Sequence, residues 1–66
     1  MKICDFTVPE LNKFRELCNF TEDERIYFEL RSKNKSNVQI AYEMHVSEST
    51  VSILARKVKK KILRVI

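Results

Sequence analysis

IAYEMHVSESTV (Ile40–Val51) is the stretch whose reading decides the fold. Ile40, Ala41 and Met44 recur at helical spacing, the pattern stops at His45-Val46, and it resumes behind Ser47. Neither glycine nor proline is present to make the break. Ser47 suits a helix N-cap, because its hydroxyl can accept from a backbone N–H at the start of the next turn. The stretch therefore predicts one helix over 37–44, a corner, and a second helix from Ser47 onward. Val46 is expected to plug into the core at that corner. His45 takes the slot that glycine often fills, and histidine enters the left-handed backbone region more readily than most residues. A small residue must stand where the two helices approach, and Ala41 does. Met44, Val46, Val51 and Leu54 are the apolar residues expected to hold the second helix against the first.

Working outward, three further helix starts are marked, each by a full capping box. Thr7 is followed by Glu10, Thr21 by Glu24, and Ser36 by Gln39. In each pair the hydroxyl can accept from the backbone N–H three residues on while the Glu or Gln reaches back. Pro9 falls in the first turn of the first helix, where its missing N–H costs nothing. Apolar stripes follow each cap. Leu11, Phe14, Leu17 and Cys18 form the first; Ile26, Tyr27 and Leu30 the second, with Phe28 on its flank. Ile40, Ala41 and Met44 form the third, and Val51, Leu54, Ala55, Val58, Ile62 and Val65 the longest. The short connections "NF", "SKNK" and "HV" require neighbouring helices to pack directly on one another. The expected fold is all-α: a compact four-helix domain with a C-terminal helix-turn-helix, winged-helix-like in class but without a wing. It divides into a tail at 1–6, a leading helix at 7–18 and a core at 20–66.

The totals agree with this. Sixty-six residues allow one domain, near the lower limit for a chain that folds on its own core. With Gly 0 and Pro 1, strand-turn signals are nearly absent. No apolar run approaches membrane-spanning length, and Met1–Phe6 is too short to read as a secretory signal. Cys4 and Cys18, with a single histidine, do not make a zinc site, so no metal is expected. The thiols are expected to be reduced, which points to the cytoplasm. No catalytic constellation, glycine-rich phosphate loop or cofactor motif is present, so neither an enzyme nor a cofactor is expected.

Charge is distributed unevenly. From Asp5 to Glu29 there are seven acids against three bases, whereas beyond Glu48 no acid remains and Arg56, Lys57, Lys59, Lys60, Lys61 and Arg64 follow. Such asymmetry suits an anionic polymer or surface. With about 100° per residue and Val51 at zero, Ala55, Val58 and Ile62 fall within about 40° of it. Ser49, Ile53, Arg56 and Lys60 lie near the opposite pole, with Thr50, Lys57 and Arg64 beside them. Two helices crossing steeply over a short turn form the unit whose second helix enters the major groove. On that reading Arg56 can pair with guanine, Ser49 and Thr50 can bond bases or phosphates, and Ile53 can touch a thymine methyl.

The residues that carry this reading also carry a resemblance. Phe20-Thr21, Glu24, Leu30, Ser36-Asn37, Gln39-Ile40-Ala41, Val46-Ser47-Glu48, Thr50-Val51 and Lys61-Ile62 follow, without a gap over 20–62, the helix-turn-helix shared by LuxR-type (GerE-like) regulators and region four of bacterial sigma factors. The leading helix before Phe20 favours the sigma branch. The sequence lacks the other sigma regions, so a complete sigma factor is not expected. His45 and Asn34 stand where these families often carry glycine, and Ser52 where lysine is frequent, which lowers the weight placed on Ser52. The resemblance implies DNA contacts at Ser47, Ser49, Thr50, Ser52, Ile53, Arg56 and Lys57, on a recognition helix of about 48–64. Lys60 joins them from the helical wheel. Ser36 and Asn37 would touch the DNA backbone through their N–H groups.

The implied function is a small sequence-specific binder of double-stranded DNA that regulates transcription, alone, as a homodimer, or beside RNA polymerase. The alternative is a region-four-like interaction module acting on RNA polymerase or a regulatory partner. Membrane action by the basic amphipathic stretch Val51–Ile66 ranks last, because the capped helices before it would then have no purpose.

Overall fold

A computed structural model describes residues 3–66. After a 3-10 turn at Ile3–Asp5 come α1 (Val8–Leu17), α2 (Glu22–Ser32), α3 (Asn37–Met44) and α4 (Glu48–Val65), with no strand among the described residues. The first two residues of the expected tail lie outside that range. The rest of it is not a tail, because Ile3 is buried and the turn it begins packs on α2.

All three capping boxes form, at Thr7/Glu10, Thr21/Glu24 and Ser36/Gln39, and Ser47 caps α4 alone. Each box satisfies N–H groups that the first helical turn would otherwise leave unpaired.

The helix ends solve the lack of glycine by one device used twice. His45 adopts φ 58° and Asn34 φ 64°, both left-handed. At the first, Val46 N–H donates to Ala41 O at 3.0 Å and His45 N–H to Tyr42 O at 3.3 Å. At the second, Lys35 N–H donates to Leu30 O at 3.3 Å and Asn34 N–H to Arg31 O at 2.9 Å. Each is the paired bonding of a Schellman stop, which turns the chain sharply while satisfying the last carbonyls. The corner after α3 therefore has a definite cause, and Val46 packs against the core as the sequence predicts.

α4 runs beneath the other helices and supplies Val51, Leu54, Val58 and Ile62 to the core. Ile40 and Ala41 of α3 and Tyr27 and Phe28 of α2 meet them there. Two stripes differ from expectation. Phe28, read as a flank residue, is completely buried, whereas Ile26 is 40% exposed. The flank of α2 is roofed by Phe20, 5.1 Å from the Phe28 ring, and by the Arg15 guanidinium at 5.5 Å. Likewise Leu17 faces solvent, and Leu11, Phe14 and Cys18 carry the contact of that segment with the core, with Phe6 set edge-on against Phe14.

One buried charge ties the layers together. Glu24 is 3% exposed and closes the α2 capping box, and the same carboxylate accepts from Lys61 of α4. The Lys61 ammonium also donates to Asn19 O at 2.7 Å, so it bolts α4 to both α2 and the loop before it. Burial alone would raise the Glu24 carboxyl, but Lys61 and the Thr21 N–H outweigh it and hold it below the ordinary range.

Candidate nucleic-acid interface

The left-handed corner at His45 is followed by a helix, α4, with one long face uncovered. Ser49, Ser52, Ile53, Arg56, Lys57 and Lys60 are all exposed, and Thr50 is half-buried. Ile53, at 47% exposure, stands among polar and cationic neighbours instead of joining the core. Ser49 and Lys60 are separated by about 16 Å along the helix axis. That span exceeds the width of a major groove, about 12 Å.

Electrostatically the face is uncompensated. Three ion pairs are found among the described residues, Arg15–Glu29, Lys35–Glu43 and Lys61–Glu24. None of them uses Arg56, Lys57, Lys59, Lys60 or Arg64. Lys61 is the one base of the run that turns inward, a role that charge counting from the sequence does not separate from the rest.

Two serines have a defined local role. Ser47 Oγ accepts from Thr50 N–H at 3.2 Å and lies 3.1 Å from the Thr50 hydroxyl. Ser36 Oγ accepts from Gln39 N–H at 3.2 Å, and Ser36 N–H donates to Gln39 Oε1 at 3.0 Å. Both are N-caps. Asn37, the first residue of α3, is exposed next to Ser36.

α3 and α4 share more than the corner. An open hollow of about 280 Å³ lies between α2, the start of α3 and the middle of α4. Arg31, Asn37, Arg56 and Lys59 line it over a floor that includes Tyr27 and Ala55, and no carboxylate contributes. Arg31 is anchored there by donating to Lys35 O at 2.6 Å. Burial raises the Tyr27 phenol above its ordinary value, against a smaller opposing pull from Arg31, so it stays protonated. Arg31 was not among the residues read from the sequence and Lys59 was read only as part of the basic run, because only the folded chain sets Arg31 and Asn37 beside Lys59 and Arg56.

Among the described residues no group of three or more His, Cys, Asp or Glu could hold a metal ion. Cys4 and Cys18 are free thiols, and burial raises the Cys18 thiol, with Lys61 pulling the other way. No helix is long and apolar enough to cross a membrane among the described residues.

A capped helix, a left-handed corner and a second helix with an exposed polar and cationic face define a helix-turn-helix domain. The family model for bacterial regulatory proteins of the luxR family (GerE) matches residues 19–63, about two thirds of the chain. The chain belongs to the LuxR family of helix-turn-helix domains, a family of DNA-binding regulators. The match begins after α1, the element that favoured the sigma branch from sequence, and it falls on the LuxR branch. Neither a curated protein nor a solved structure matches the chain.

Proposed function

We propose that this chain is a sequence-specific binder of double-stranded DNA that regulates transcription, with α4 seated in the major groove. Ser49, Ser52 and Ile53 face base edges; Arg56, Lys57 and Lys60 face phosphates. Thr50 and the N–H groups at Asn37 and Ser47 support contacts to the backbone of the duplex, while the Ser36 N–H is already taken by Gln39 Oε1. The observation that carries this reading is the exposed Ile53 set amid Ser49, Arg56 and Lys60 on a face without any acidic partner. An apolar side chain in that company suits the methyl groups of a groove better than water.

A single recognition helix covers few base pairs, so tight binding calls for a second copy or a contact with RNA polymerase. The test is titration with duplex DNA at several salt concentrations. Neutralising about four to seven phosphates makes log affinity fall against log salt with a slope of about −4 to −6. Affinity that ignores salt overturns the reading.

A further inference from the structure

The hollow beside α4 is a separate feature from the base-facing pole of that helix. With Val51 at zero, Lys59 and Arg56 lie at about 80° and 140° around α4, on the flank turned toward α2 and α3, whereas Lys57 lies on the other flank at about 240°. Three cationic side chains from two helices therefore converge on one open pocket with no acid to neutralise them. Like charges drawn together without a counter-ion raise the local potential and favour an anion that can bond to several of them. Arg31 is held by its bond to Lys35 O through one terminal nitrogen, which leaves its other N–H donors for a ligand. Asn37 adds a neutral donor from the start of α3.

We propose that Arg31, Asn37, Arg56 and Lys59 form a seat for one phosphate group, and that in the DNA complex a backbone phosphate on the α3 side of the groove occupies it. The proposal rests on the DNA-binding reading above and adds a residue of α2 to an interface otherwise built from α3 and α4. It also gives a structural ground for placing Arg56 on a phosphate. From sequence it is a candidate for guanine; on the rim of this pocket it positions the duplex and carries no sequence information.

Two measurements on the full chain test it. In the first, Arg31→Gln/Lys59→Gln is compared with wild type for duplex affinity across a salt series, with Lys13→Ala on α1 as the control and Arg31→Lys as the charge-keeping variant. The double variant is expected to bind about tenfold or more weakly at low salt. Its salt slope should shrink by about 1, with relative preference among duplexes unchanged. Lys13→Ala should match wild type, and Arg31→Lys should keep most of the slope. A folded double variant with wild-type affinity and slope overturns the proposal, as does one whose sequence preference changes. In the second, inorganic phosphate is titrated without DNA while backbone amide shifts are followed. Saturable shifts at Arg31, Asn37 and Lys59 that vanish in the double variant support the seat even if wild type fails to bind DNA, a failure that would remove only the reading of the previous section. Absence of such shifts removes the seat. Shifts accompanied by unaltered DNA binding in the double variant assign the pocket to a free phosphorylated ligand, and overturn its occupation by the duplex.

Discussion

Replacing Lys61 by methionine isolates the one buried charge among the described residues. Glu24 is 3% exposed and would lose the ammonium that lowers its carboxyl, keeping only the Thr21 hydrogen bonds of its capping box. Removing one partner of a fully buried pair costs about 3–5 kcal/mol. The Lys61 side chain is 27% exposed, so water screens part of this, and about 2 kcal/mol is expected at pH 7. For a domain of this size that lowers Tm by about 10–15 °C. The pH dependence has a definite sign. A carboxyl whose folded value is depressed stabilises the fold above the unfolded Glu value of about 4.3, and that stability is lost as pH falls through the folded value. The gap between wild type and Lys61→Met should therefore be full at pH 7 and shrink below about pH 4. The double variant Glu24→Gln/Lys61→Met, which keeps a capping-box side chain without a buried charge, should recover most of the loss. Urea unfolding followed by circular dichroism at pH 7 and pH 3 measures all of these. A Lys61→Met protein within about 0.5 kcal/mol of wild type at pH 7, or a loss undiminished at pH 3, refutes the reasoning, since the expected cost is several times larger.

Other outcomes follow from the same structure. His45→Gly and Asn34→Gly remove the cost of a left-handed β-carbon at φ 58° and 64°, and each should be neutral or stabilising by up to about 1 kcal/mol in urea unfolding. His45→Val, placing a branched side chain at that φ, should instead destabilise by about 1–2 kcal/mol. Phe28→Ala empties the most central aromatic site, and its cost of about 3–5 kcal/mol should leave so small a domain largely unfolded by circular dichroism at 25 °C. Arg56→Ala should weaken binding to all duplexes alike and reduce the salt slope by about 1, measured by fluorescence anisotropy.

Local chemistry made much of this fold legible in the sequence. The capping boxes at Thr7, Thr21 and Ser36 use residues three apart, and the left-handed corner at His45 follows from one residue type in one slot. What the sequence hid depends on residues far apart along the chain. Phe28 is central because Phe20 and Arg15 cover a flank that helical periodicity alone leaves open. Ile3 looked like tail because nothing near it in sequence says that α2 will receive it. Lys61 counted only as one more cation of the basic run until Glu24, thirty-seven residues earlier, was placed beneath it. The candidate interface divides in the same way. The exposed pole of α4 can be drawn from spacing, whereas the hollow needs Arg31 brought from another helix to Arg56 and Lys59.

The claim beneath all of this is that the outward pole of α4 reads base sequence. Selection of bound duplexes from a random pool, run in parallel on wild type, Ser49→Ala and Ile53→Ala, puts it to the most direct trial. A defined motif for wild type that degenerates at particular positions in each variant is the predicted result. A wild-type pool without a motif, or one motif shared unchanged by all three proteins, would contradict it.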